Sequence, residues 1–259
     1  MKQEIVLRPN VVMVHGLMGS IDFFDPAIRL KDFNLHCPSM HGYGDSIESA
    51  AVDRLDLDDQ VDFIFSYLHL KSIRKVWLVG HSVGGAIAML FAAKYPQMVF
   101  GIINVEGNFT LDDAFWSQRI AKLDVLAWVR EYENMCAHPE QWLIDSGISP
   151  TAIRVQWAEQ ILGYQNAKTV QNVARTVVDR TGQKNYLKMV KKVLDSNIPV
   201  FLYAGENSQK GWNVPGFVLK KAKEIIIQAS TGHMMMLEDP DEFCKNLEAI
   251  IGRKSEAYH

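Results

Sequence analysis

Residues 76–95 constrain this chain more than any other stretch. Val76-Trp77-Leu78-Val79 is a short apolar run, Gly80-His81-Ser82-Val83-Gly84-Gly85 is a glycine-rich turn, and Gly85 to Tyr95 is apolar nearly all round before Pro96. The first piece reads as a buried strand. The last reads as a helix packed against a sheet and stopped by the proline. The turn between them must be tight, and the glycines beside Ser82 leave no side chain to clash with the neighbouring strand or helix.

The same grammar recurs at both ends of the chain. Val11-Val12-Met13-Val14 is a strand ended by His15-Gly16, and Phe33 to Cys37 is another, ended by Pro38. Between Leu57 and Ile73, Val61, Ile64, Phe65 and Leu68 follow helical spacing, with Asp58 or Asp59 placed to cap the start. Phe100 to Val105, Pro199 to Ala204 and Glu224 to Ile227 supply further strands. The last helix is announced by Asp239 as N-cap, Pro240 as first helical residue and Glu242 as capping-box partner, with Gly252 at its expected end. Strands alternating with helices predict an α/β fold: a mostly parallel sheet with helices on both faces.

The middle differs. From about Asn108 to Ser196 no strand pattern is visible, while Asp112–Tyr132 and Ala152–Leu162 read as helical and carry large aromatics. The expected organisation is a core domain of residues 1–107 and 197–259, with a helical cap, 108–196, inserted between two strands.

Composition narrows the function classes. The 259 residues are 48% hydrophobic and 22% charged, with a formal net charge of −3, which offers no basic patch for nucleic acid. No stretch reaches the roughly 18 apolar residues of a membrane span. The N-terminal MKQEIVLRPN lacks the apolar region of a signal peptide, so a cytoplasmic location is expected. Cys37, Cys136 and Cys244 are an odd, widely spaced set, expected to be buried, inert thiols rather than disulfides or metal ligands.

Three motifs carry chemistry. Gly80-His81-Ser82-Val83-Gly84 is a G-x-S-x-G turn in a strand–turn–helix setting, which lifts the Ser82 hydroxyl clear of the sheet. It also aims the Val83 backbone N–H at the site from a helix N-terminus. His15-Gly16-Leu17-Met18-Gly19 follows the first strand and can bring a second N–H, from Leu17 or from Met18, to the same point. Thr231-Gly232-His233 precedes the last helix, and His233 is suited to act as a general base at neutral pH.

With these residues in view, the chain resembles the α/β-hydrolase superfamily over almost its full length. His15-Gly16, His41-Gly42-Tyr43-Gly44-Asp45-Ser46, the turn at Ser82, and Gly232-His233 with downstream Pro240 and Phe243 occur in the family's order. The family's first hairpin is shortened, since about ten residues precede the first strand. The resemblance implies a Ser-His-acid triad with Ser82 as nucleophile and His233 as base. It also implies an oxyanion hole of the Leu17 and Val83 N–H groups.

The acid departs from that pattern. The family usually carries it after the strand that follows the cap, where this chain reads Gly205-Glu206-Asn207-Ser208, with serine at the position expected to hold aspartate. Glu106, at the end of the strand after the Ser82 helix, is the first candidate, and some superfamily members place a glutamate there. Glu206 is the second, and the remaining readings are Asp112, Asp113 or no acid at all.

The implied activity is hydrolysis of a small-molecule carboxylic ester or acyl thioester, with no metal or organic cofactor. The alternative is a ligand-binding or receptor protein on the same fold. Trp116, Trp128, Trp142, Trp157 and Tyr164 of the cap, with Met18 and Met234, are candidates to line an acyl pocket. Trp116, Met18 and Met234 are the first choices for substrate contact.

Overall fold

Every apolar run read as a strand pairs in parallel with its neighbours. In a computed structural model describing residues 8–46 and 55–255, the strands are β1 (Asn10–Val14), β2 (Asn34–His36), β3 (Val76–His81), β4 (Val99–Val105), β5 (Val200–Gly205) and β6 (Glu224–Gln228). They form one sheet in the order β2-β1-β3-β4-β5-β6, with all pairings parallel. Alternate residues feed two cores. Val12, Val14, Val76 and Leu78 pack on one face, while Val11, Met13, Trp77 and Val79 pack on the other. Burial on both faces is why β1 and β3 are continuously apolar rather than alternating.

Before β4 the helices are α1 (Pro26–Arg29), α2 (Leu57–Leu70) and α3 (Val83–Lys94). Between β4 and β5 run α4 (Phe115–Lys122), α5 (Val125–Ala137), α6 (Pro139–Asp145), α7 (Ala152–Gly163), α8 (Ala167–Thr181) and α9 (Lys184–Leu194). After β5 come α10 (Gly216–Lys221), α11 (Met235–Glu238) and α12 (Pro240–Ser255). Of the inserted helices, α8 and α9 place Val170, Val177, Tyr186 and Val190 in the same core as α3, whereas α7 places Ala158 and Ile161 in the opposite one.

Several local expectations are corrected. The cap of α2 is Asp56, whose side chain accepts from Asp59 N at 2.9 Å while Asp59 answers with an acceptor for Asp56 N. Asp58 instead pairs with Arg180 on α8. The stretch Asp112–Tyr132 is not one helix, because the Asp124 carboxylate takes the N–H groups of Leu126 and Ala127 and starts a new one. Asp239 caps α12 through Glu242 N at 3.0 Å, but Asp239 N bonds Met235 O, so the reciprocal half of the capping box is missing. Helix α12 also runs past Gly252 to Ser255.

All three cysteines are free, and Cys136 is exposed rather than buried. Among the described residues, no helix is long and apolar enough to cross a membrane. The expectations placed on residues 1–7 lie outside the described residues.

Candidate active site

The chain runs from β1 outward to β2 and then returns to place β3 on the other side of β1. At such a reversal the loops leaving the two strands diverge, which opens a crevice at the carboxyl edge of the sheet. Ser82 follows β3 there, His15–Gly19 follow β1, and Glu106 follows β4, the next strand along.

The turn at Ser82 is strained. Ser82 has φ 53° and ψ −120°, a region costing a non-glycine residue about 1–3 kcal/mol. Its N–H is held by Val105 O at 2.9 Å, and its own carbonyl accepts from Gly85 N and Asn108 N. The flanking glycines are required by close approach. A Cβ on Gly80 would lie 2.3 Å from Gly84 O, and one on Gly84 would lie 2.3 Å from Val14 O and 2.6 Å from His15 O. All of these are backbone atoms, so no side chain can swing aside. Gly84→Ala is expected to lower stability by about 3 kcal/mol, read as a shifted midpoint in urea unfolding. An unchanged midpoint would show that β1 and α3 can separate without loss.

His233 sits in the loop between β6 and α11, its side chain half-exposed, with Nδ1 at 2.7 Å from Glu106 Oε2. The Glu106 carboxylate is buried. Its other oxygen accepts from Gly205 N at 2.9 Å and from the Ser208 hydroxyl. Burial alone would raise the Glu106 pKa, but the bonds from His233, Ser208 and Gly205 outweigh it and hold the carboxyl below its ordinary value. Glu106 also has a positive φ of 42°, so two consecutive strand ends of this sheet carry strained, non-glycine residues.

The other candidate carboxylates are bonded to partners other than His233. Glu206 Oε2 accepts from Ser230 N at 2.7 Å and so anchors the loop leading to His233. Asp112 accepts from Asn213, and Asp113 accepts from the N–H groups of Phe109 and Thr110.

His81 adds a contact that the motif did not reveal. Its ring stacks obliquely on His233 at 4.6 Å between centroids, and Nε2 donates to His233 O at 2.9 Å. Burial foremost, with repulsion from His233, pushes the His81 pKa down to about 3, so the ring is neutral and serves to hold the His233 backbone.

The loop after β1 is clamped at three points. His15 is neutral, its pKa lowered to about 4 by burial, and its Nδ1–H donates to Gly16 O at 2.9 Å. In a trans peptide the N–H points opposite to the carbonyl, so the Leu17 N–H faces away from that bond. Tyr43 OH donates to Leu17 O at 2.9 Å, and Gly19 N donates to Gln165 Oε1 at 2.6 Å. Tyr43 belongs to the loop after β2 and Gln165 to the segment joining α7 and α8, so distant parts of the chain fix this backbone together. Val83 is the first residue of α3, and its N–H therefore has no acceptor within the helix.

These groups surround a cavity of about 540 Å³. Ser82, His233 and Glu106 line it, as do Leu17, Met18, Trp116 and Met234. Of the other aromatics singled out from sequence, Trp142 reaches the wall. Trp128 is instead buried, with Nε1 bonded to Ala167 O. Trp157 packs on Phe23, and Tyr164 bonds Ser39. Trp212, which no pattern in the sequence had marked, also lines the cavity, as does Asp113, singled out there only as a candidate acid.

The family model described as the alpha/beta hydrolase fold matches residues 9–134, which include β1, Ser82 and Glu106. A carboxylesterase structure from Nitrososphaera gargenis superposes with a TM-score of 0.74 at 19% identity, covering 96% of this chain and 92% of that one. The chain has the α/β-hydrolase fold. The 2-succinyl-6-hydroxy-2,4-cyclohexadiene-1-carboxylate synthase of Serratia proteamaculans is 29% identical over 226 residues, covering 78% of this chain and 87% of that protein. An abhydrolase domain-containing protein of Caenorhabditis elegans is 24% identical over 263 residues, and the chain spans 58% of that relative's length.

Against the superfamily pattern that the sequence resembles, the unusual position is the loop after β5. Ser208 stands where the superfamily usually carries its acid, and here its hydroxyl donates to Glu106 rather than to the histidine. The serine thus fills the gap and supplies the glutamate with a donor.

Proposed function

We propose that the chain is a serine hydrolase of small carboxylic esters or acyl thioesters. The observation that carries this reading is the His233 Nδ1–Glu106 Oε2 contact of 2.7 Å beside a cavity that Ser82 also lines. In this reading Ser82 Oγ attacks the acyl carbon while His233 Nε2 takes its proton. The carbonyl oxygen becomes an oxyanion held by the Leu17 and Val83 N–H groups. His233 then protonates the departing alcohol or thiol, leaving an acyl-serine. Water attacks that ester as His233 removes its proton, and collapse returns the proton to Ser82 and releases the carboxylic acid. Glu106 keeps the proton of the neutral ring on Nδ1 and balances the charge of the imidazolium, without itself being protonated.

Supporting features extend beyond the three side chains. The clamp of His15, Tyr43 and Gln165 favours Leu17 as the donor from the β1 loop. Residues 108–196 act as the cap, with Trp116 on the substrate along with Met18 and Met234. The test is incubation with a fluorophosphonate, which reacts with serines activated in this way, followed by peptide mass spectrometry. One adduct on the peptide containing Ser82, with loss of nitrophenyl ester turnover in parallel, is the expected result. A native protein that stays unlabelled and turns over no ester would favour a ligand-binding role.

A further inference from the structure

We propose that the cavity selects its substrates by charge, admitting uncharged or ammonium-bearing acyl groups and rejecting those that carry a carboxylate. The proposal rests on the ester-hydrolase reading above and names the substrate class of that site. Apart from Glu106, which is matched by His233, the charged side chains on the cavity wall are Asp113 and Asp145. Among the described residues that line it there is no lysine or arginine.

Asp113 is fixed by the N–H groups of Phe109 and Thr110 at 2.8 and 3.1 Å and by Asn108 Nδ2 at 3.1 Å, none of them a cation. Burial raises its pKa to about 6, which is the mark of a carboxylate without full compensation. Asn108 is 4% exposed and lines the same cavity, and its Oδ1 is a buried acceptor with no partner. Asp145 ends α6 at the exposed rim.

A carboxylate entering this space would leave water without meeting the guanidinium or ammonium that usually receives it, and would face like charge. An ammonium group would meet the reverse. Asp113 and Asp145 supply negative charge, and Trp116, Trp142 and Trp212, whose indoles attract cations, line the same cavity.

The test compares nitrophenyl esters of matched length: pentanoate, glutarate with one carboxylate free, and trimethylammoniobutyrate. The expected kcat/KM for the glutarate ester is about thirty-fold or more below the pentanoate, with the ammonium ester equal to or above it. Asp113→Asn is expected to raise the glutarate-to-pentanoate ratio about fivefold, and Asp145→Asn, at the solvated rim, less. Should Asp113→Asn not fold, Asp145→Asn still reads the effect through the same ratio.

The corresponding amides, bound to Ser82→Ala so that none is turned over, are expected to give the same order of affinity by quenching of tryptophan fluorescence. That binding measurement keeps charge selection separate from hydrolysis. Equal affinities for the three amides, or equal kcat/KM for the three esters, would overturn charge selection. The expected order of affinities together with no ester turnover would overturn the hydrolase reading alone.

Discussion

Ser82→Ala is expected to lower kcat on a nitrophenyl ester by about a millionfold while leaving KM within a few-fold. The hydroxyl is the only atom removed. Alanine adopts φ 53° with no more difficulty than serine, and the backbone bonds of residue 82 to Val105, Gly85 and Asn108 are retained. The fold and cavity are therefore expected to stay unchanged, with residual activity from substrate binding and, on the proposed mechanism, from the Leu17 and Val83 N–H groups. Single-turnover kinetics should lose the burst that marks accumulation of an acyl-enzyme. A variant that keeps a tenth of native turnover would remove Ser82 from the nucleophile's role.

Glu106→Gln is expected to cost about 10⁴ in kcat, with Glu206→Gln changing it by less than about threefold. The size of the effect follows from the donors already in place. Gly205 N and Ser208 Oγ both donate to one oxygen of residue 106, so a glutamine must present its carbonyl to them. Its NH2 then faces His233 Nδ1. That nitrogen becomes an acceptor, the ring proton moves to Nε2, and the side of the ring left for Ser82 can no longer take a proton. Glu206 holds Ser230 N at the base of the loop, where an amide oxygen accepts as well as a carboxylate does. Near-native turnover in Glu106→Gln, or a large loss in Glu206→Gln, would place the acid elsewhere.

The two predictions draw on different amounts of sequence information. Ser82 was legible because its turn is local: a buried run, two glycines in close approach and a buried helix all lie within twenty residues. The strands were legible for the same reason, since burial on both faces leaves an unbroken apolar run. Short polar cues were less reliable. Asp56 rather than Asp58 or Asp59 caps α2, and Asp124 splits a helical stretch that reads as continuous. In each case several carboxylates near the right place made the local pattern degenerate.

By itself, the sequence determined the elements, the strand–turn–helix around Ser82 and a short set of carboxylates for the histidine to meet. Only the tertiary structure decided which carboxylate that is. Glu106 meets His233 because β4 lies beside β3, and because Gly205 at the end of β5 and Ser208 in the loop after it, about a hundred positions further along, satisfy its second oxygen. The character of the cavity was decided in the same way. Asp113, Trp142 and Trp212 come to the same cavity from three separate segments, and no local pattern says that they meet there. Local propensity acts over a few residues, whereas charge compensation and pocket shape depend on atoms brought together only when the sheet closes its order.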